Sequence, residues 1–234
     1  MNKERVQKIL KQNEDNWQIM AEEFTKTRKW NWRELEFLSE YIKEDQKVLD
    51  LGCGNGRLYQ LFQDKNIEYV GIDNSENLIK TARKQFNNLT NKQLNKSTFL
   101  VADALNLGTR FPNNEFDIIV SVAFLHHIPS EKLRLKILKD CYSLLKPNGF
   151  LVLTVWNLFQ WKLIRRYHLY SLFWGRRDVF VPWKAGGKNI KRYHHVFTLS
   201  ELKRLTKKAG FKIIKCHKDS FRGFNLMVLV QKVC

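Results

Sequence analysis

The run Val48-Leu49-Asp50-Leu51 leads directly into Gly52-Cys53-Gly54-Asn55-Gly56-Arg57, an apolar strand feeding a G-x-G-x-G turn. Glycine at these positions lets the backbone reverse sharply and approach a ligand with no Cβ in the way. A helix expected after the turn would aim its first N–H groups at that ligand. A nicotinamide dinucleotide fingerprint reads G-x-G-x-x-G and would need glycine where Arg57 stands, so the spacing disfavours that cofactor.

A second predicted strand, Ile67 to Ile72, ends in Asp73, where a carboxylate can accept hydrogen bonds from both hydroxyls of a ribose. A third, Thr98 to Val101, is followed by Ala102-Asp103. The chemistry implied is the binding of an adenosine-bearing cofactor at the carboxyl ends of parallel strands.

The elements that would hold these residues alternate strand and helix from Lys47 to Val155, as in a doubly wound α/β sheet. Ser75-Glu76 opens a helix toward Phe86, Phe116 to Val122 is a buried strand, and a helix from Ser130 to Leu145 stops at Pro147-Asn148-Gly149. Phe150 to Trp156 is the fifth strand. Two helices with a break around Thr25 to Asn31 precede this core. Asn157 to Lys191 shows no clear sheet pattern and reads as a substrate-facing insertion. Thr198-Leu199-Ser200-Glu201 is a capping box for a helix that Gly210 ends, and Phe211–Cys216 with Leu226–Gln231 form a closing antiparallel hairpin. A single domain over residues 1–234 is expected.

The formal net charge is +18, and residues 151–234 hold 18 Lys/Arg against 3 Asp/Glu, or +15, leaving +3 for the rest. This local basicity is interleaved with Trp161, Tyr167, Tyr170, Trp174 and Trp183, a combination suited to nucleic acid. An anionic membrane surface is the competing partner, because Leu158 to Trp174 mixes aromatic, aliphatic and basic residues. The first eleven residues lack the apolar core of a signal peptide, the apolar runs are too short to span a bilayer, and the four cysteines have no C-x-x-C spacing. A cytoplasmic protein with reduced thiols and no metal site is expected.

Asp50, the glycine turn, Asp73 and Ala102-Asp103 together resemble the motifs of class I S-adenosylmethionine-dependent methyltransferases. The resemblance narrows with Ala21-Glu22-Glu23-Phe24-Thr25-Lys26-Thr27-Arg28, Trp32 and Phe37-Leu38, with Ser121 to His127, Val155-Trp156, Asp178 to Trp183, and Arg192 to Phe197. These stretches are similar to the tRNA wobble-uridine carboxymethyl methyltransferases, a family that includes the methyltransferase domain of an AlkB-homologue protein.

The resemblance implies a Rossmann-like seven-stranded sheet, mostly parallel with an antiparallel closing strand. It also implies S-adenosylmethionine as cofactor and the tRNA anticodon stem-loop as partner. The cofactor positions it implies are Asp50, Gly52, Gly54 and Gly56, then Asp73, Asn74, Ala102, Asp103 and Ser121. The implied acceptor is the carboxylate of 5-carboxymethyluridine, already ionised near neutral pH and in need of orientation rather than a general base. Arg28 and Arg192 match family positions and would grip it, with His126, His127, Trp156, Tyr193 and His195 completing the acceptor side. For Arg28 the competing reading is a surface ion pair with Glu22 or Glu23. Position 194 departs from the family, giving Arg-Tyr-His-His for Arg-Tyr-Tyr-His, which bears on substrate identity. Some eukaryotic family members act with a small zinc-binding activator, and the resemblance extends the partner list to such a subunit. A methyltransferase for a small or quinone-like acid, and a non-catalytic RNA-binding scaffold, are the alternative functions.

Overall fold

The computed structural model describes residues 1–28, 35–87, 97–185, 187–218 and 223–233. Seven strands form one sheet: β1 (Lys47–Leu51), β2 (Glu68–Asp73), β3 (Ser97–Val101), β4 (Phe116–Val122), β5 (Leu145–Trp156), β8 (Lys212–Lys218) and β9 (Asn225–Gln231). Their order is β3-β2-β1-β4-β5-β9-β8, parallel through β5, with β9 antiparallel to both its neighbours. The seven-stranded, mostly parallel sheet expected from the sequence is therefore present, and the closing hairpin inserts β9 beside β5.

The central strands are largely apolar because both faces are covered. On β4, Phe116 and Ile119 contribute to one buried cluster while Ile118 and Val120 contribute to the other. Helices α3 (Glu76–Asn87), α5 (Glu131–Leu144) and α7 (Leu199–Lys208) flank the sheet, and short α2 (Leu38–Tyr41) and α4 (Leu107–Arg110) lie in connections. The 25-residue α1 (Lys3–Thr27) precedes the core, starting at an N-cap where Arg5 N–H donates to Asn2. No helix among the described residues is long and apolar enough to cross a membrane.

Strand order reverses between β1 and β4, which opens a crevice at their carboxyl ends. Three local expectations differ from the structure. After Gly56 comes only a five-residue 3-10 turn, Arg57–Leu61. The stop signal Pro147-Asn148-Gly149 is absorbed into β5, because Asn148 and Gly149 pair with Lys232 through two backbone hydrogen bonds. The basic insertion contains, after α6 (Trp161–Tyr167), a two-stranded antiparallel sheet of β6 (Asp178–Ala185) and β7 (Lys188–His195). Val179, Val181 and Ala185 alternate inward on β6, a period of two hidden by the exposed Phe180 and by Pro182, Trp183 and Lys184 between them.

Candidate active site

The crevice is a cavity of ≈ 250 Å³ whose wall joins residues from both candidate sets. Asp50, Gly52, Gly54, Asp73, Asn74, Ala102 and Asp103 line one part. Arg28, His127, Trp156 and Arg192 line another part of the same cavity. Asp50, Asp73 and Asp103 thus come from the sheet end, with Arg28 from the C-cap of α1 and Arg192 from β7.

Gly52, Gly54 and Gly56 all have positive φ, at 76°, 57° and 76°. A Cβ on Gly52 would lie 2.6 Å from the Phe124 ring, and one on Gly56 would lie 2.7 Å from Phe99. Gly54 faces Phe24 of α1 at 3.5 Å, which is ordinary contact. The turn's N–H groups are largely spoken for: Gly52 and Cys53 donate to the Ile72 carbonyl, Gly54 to Asp73 Oδ2, and Gly56 to the Cys53 carbonyl. A pyrophosphate would need those donors free, so this turn fits a cofactor without phosphate.

Asp73 accepts from Gly54 N–H at 3.0 Å and from Ser75 N–H at 2.9 Å, one bond per carboxylate oxygen. Each oxygen keeps acceptor capacity for a ribose hydroxyl, so the residues present fit the adenosine half of S-adenosylmethionine. Burial raises the Asp73 carboxyl to about 6, against the lowering effect of those two N–H bonds. Asp50 is buried, accepts from Tyr69 Oη at 2.5 Å, and is raised to about 7, mainly by burial and also by Asp73. Asp103 Oδ1 accepts from Leu105 N–H and caps the following 3-10 turn. Ser121 is buried on β4 and does not line the cavity, where Val122, Ala123 and Phe124 stand instead.

On the other side, the Arg192 guanidinium lies 4.3 Å from the Trp183 ring centre and 5.2 Å from that of Trp156. Arg28 lies 5.3 Å from the Trp183 centre and 5.6 Å from that of Phe24. Arg192 is buried, and its Nε has no hydrogen-bond partner. Among the described residues the Arg28 guanidinium donates only to the oxygens of neighbouring Thr27. Among the described residues neither arginine has a salt bridge, and Glu22, the expected surface partner of Arg28, pairs with Lys26. Burial lowers both guanidiniums, Arg192 to about 10 with further repulsion from Arg28.

Adjacent letters of the Arg-Tyr-His-His motif go to opposite faces, as a strand requires. Arg192 and His194 turn toward Trp156, with His194 stacked on Trp156 at 5.1 Å and on His126 at 4.8 Å. Tyr193 and His195 do not line the cavity: both bind Asp178, at 2.5 and 2.9 Å, and His195 Nε2 meets Glu201 at 2.8 Å. Glu201 accordingly supplies its N–H to Thr198 but gives its carboxylate to His195, leaving the capping box half made. His127 lines the cavity; its Nδ1 donates to the Tyr193 carbonyl, and burial with Arg192 lowers it to about 3, so it is neutral. His126 lies behind it, accepting from Trp156 N–H, and burial holds it well below its ordinary value. The ligand atoms of His126, His127 and His194 lie within 4.8 Å of one another, but Arg192 beside them opposes a cation.

The sequence reading did not assign Asn13 and Trp17 of α1, which line the cavity, nor Trp183, which the two arginines share. Asn13, Trp17, Phe24 and Arg28 recur at spacings of four, seven and four, one helix face, and that periodicity was their legible signal. Asn13 Nδ2 donates to the His127 carbonyl at 2.7 Å and ties α1 to the 3-10 turn Leu125–His127 that follows β4.

A family model described as a methyltransferase domain matches residues 21–215. The chain belongs to the methyltransferase-domain family. This methyltransferase is 27% identical over 216 residues to the tRNA (carboxymethyluridine(34)-5-O)-methyltransferase of Schizosaccharomyces pombe, covering 84% of this chain and 86% of that protein. A SAM-dependent methyltransferase structure from Methanosarcina mazei superposes with a TM-score of 0.68 at 25% identity, over 84% of this chain and 97% of that one. A Haloferax volcanii chain, from the complex of the Trm112 methyltransferase activator with a protein described as a methyltransferase, shares the fold: TM-score 0.63, 16% identity, 93% and 98% coverage.

Proposed function

We propose that this protein transfers the methyl group of S-adenosylmethionine to the carboxylate of 5-carboxymethyluridine, or a related carboxylated uridine, at the tRNA wobble position. The observation that carries the reading is the pair Arg28 and Arg192, two buried or half-buried guanidiniums facing one cavity, neither in a salt bridge among the described residues. Burying an uncompensated cation is costly, so such a pair is built for an anion that arrives from outside. A carboxylate accepts from guanidinium in a planar, two-pronged geometry.

When bound, the cofactor supplies a sulfonium methyl: the carboxylate oxygen forms a bond to the methyl carbon as the carbon–sulfur bond breaks and its electron pair stays on sulfur. Asp73 holds the ribose, and the glycine turn lets the cofactor lie against the sheet end. Arg28 and Arg192 orient the acceptor carboxylate, while Trp156 and Trp183 both lie against the Arg192 guanidinium and shield it from water. His127, neutral, presents an imidazole that adds no charge to the pair. Holding the oxygen in line with the methyl at near-attack distance supplies up to about 7–11 kcal/mol in favourable cases.

The name carried by the fission-yeast relative and the +15 charge of residues 151–234 support RNA over a free acid. For the activator, the support is an edge strand: among the described residues β3 has a partner on one side only and leaves Val101 exposed, and the Haloferax neighbour comes from a complex with an activator. The substrate is tested with two anticodon stem-loops differing in one group, 5-carboxymethyluridine and its uncharged carboxamide. Transfer to the acid alone is expected; equal transfer to both would remove the carboxylate from the reading.

A further inference from the structure

The four most exposed large aromatic side chains of the insertion are Phe159, 45% exposed, Trp161, 61%, Phe173, 56%, and Trp174, 78%. Phe159, Trp161 and Phe173 lie together, and Trp174 follows Phe173 in the chain. Phe173 has its ring centre 6.4 Å from that of Phe159 and 6.1 Å from that of Trp161. A group of exposed rings this size on one surface marks a binding site rather than a stray residue.

The backbone accounts for their presentation. Helix α6 ends at His168, φ 53°, and a 3-10 turn, Tyr170–Trp174, ends at Gly175, φ 77°. Ile164, Leu169 and Leu172 point down into a separate buried cluster with Val179 and Val181, leaving Trp161, Phe173 and Trp174 above. Trp156 packs against that same cluster and lines the cavity. Tyr167, at the end of α6, is within electrostatic reach of both Arg28 and Arg192. The exposed rings are thus seated on the floor that also supports the acceptor side of the active site.

Their charge setting is one-sided. Residues 159–177 contain Lys162, Arg165, Arg166, Arg176 and Arg177 and no acidic residue. Arg177 lies 5.4 Å from the Phe159 ring centre, so cation and ring share one level of the surface instead of separating into an apolar face and a charged rim. Interfacial membrane helices make that separation; surfaces for unpaired nucleotides mix rings for bases with cations for phosphates.

We infer that Phe159, Trp161, Phe173 and Trp174 form a stacking shelf for unpaired bases flanking the target uridine, with the neighbouring arginines on their phosphates. The inference rests on the RNA reading above and adds to it a second subsite outside the methyl-transfer cavity. The shelf recognises an opened loop by its bases' π-faces, so it discriminates single-stranded from paired RNA without reading sequence.

The test uses the full chain, an anticodon stem-loop, a blunt RNA duplex of equal length and phosphatidylserine vesicles. Trp161→Ala with Phe173→Ala is expected to weaken stem-loop binding by roughly five- to 150-fold per base unstacked, with the slope of affinity against salt nearly unchanged. Arg165→Ala with Arg166→Ala is expected to reduce that slope by roughly one per phosphate lost. Duplex binding should not respond to the ring variant, and S-adenosylmethionine binding, measured by calorimetry, should be intact in both variants. Equal stem-loop binding by ring variant and wild type overturns the shelf, as does a loss confined to vesicle binding, which assigns the rings to a membrane. If wild type neither binds nor methylates the stem-loop, the RNA reading falls and the shelf with it; methylation that survives unchanged in the ring variant sinks the shelf alone.

Discussion

Arg28 and Arg192 share one indole: their guanidinium carbons lie 5.3 and 4.3 Å from the centre of the Trp183 ring. Cation–π contact softens the burial of each charge but neutralises neither. The pair is therefore a stored electrostatic strain relieved by an anion.

Replacing Arg192 by Met should consequently move two properties in opposite directions. Loss of a charge-assisted bond to the acceptor, about 1.5–3 kcal/mol, lowers kcat/KM for tRNA roughly 10- to 150-fold. Thermal stability of the free protein should rise, because a buried charge without a counterion is gone. Arg192→Lys, keeping charge without the fork, should fall between. Scanning calorimetry alongside steady-state kinetics checks this; a variant that loses both activity and stability would indicate a structural arginine.

The glycines of the turn should separate by position. Gly52→Ala places a methyl 2.6 Å from Phe124 at φ 76°, so both fold and cofactor binding suffer, with about 1–2 kcal/mol from the backbone alone. Gly54→Ala carries the same backbone cost at φ 57° but meets only Phe24 at 3.5 Å, so it escapes the clash of Gly52→Ala and loses less stability. Comparing denaturant midpoints with calorimetric Kd for S-adenosylmethionine resolves the two.

Cofactor binding should weaken in acid. Burial raises Asp73 to about 6 and Asp50 to about 7 from an ordinary 3.8, so the ionised carboxylate that serves the ribose is lost as pH falls through about 6, and affinity should approach tenfold loss per pH unit below it. The same shifts act on folding with the opposite sense: ionising these groups costs the folded state, so free-protein stability declines as pH rises from 3.8 through about 7. Asp50→Asn should flatten that decline.

His195 is the contrasting case, a histidine whose hydrogen bonds to Asp178 and Glu201 outweigh burial and hold it above its ordinary 6.5. The stability it contributes is fully present below pH 6.5 and is lost as pH rises through the higher folded value. His195→Gln should lower the melting temperature at pH 6 more than at pH 9, while KM for S-adenosylmethionine stays within about twofold.

The sheet was legible because its signals are local. Val48–Leu51, Phe116–Val122 and Leu226–Gln231 are apolar runs of strand length, and Asp73 follows its strand directly. The cofactor side was readable for the same reason. The acceptor side was only half readable, because Arg192 to His195 are adjacent in sequence and divided in space by the strand's two faces. Trp183 reaches the two arginines through a hairpin whose alternation is masked by its own aromatic and basic residues, and Asn13 lies on a helix more than a hundred residues from the His127 carbonyl it binds. Long-range pairing of this kind leaves no trace in a local pattern.

The most direct measurement is transfer of radiolabelled methyl from S-adenosylmethionine to tRNA bearing 5-carboxymethyluridine, followed by mild alkali, which hydrolyses a methyl ester and spares methyl groups on bases. Label that enters the tRNA and is released by alkali is the predicted result; label that survives alkali would place the methyl on another acceptor and contradict the account of Arg28 and Arg192.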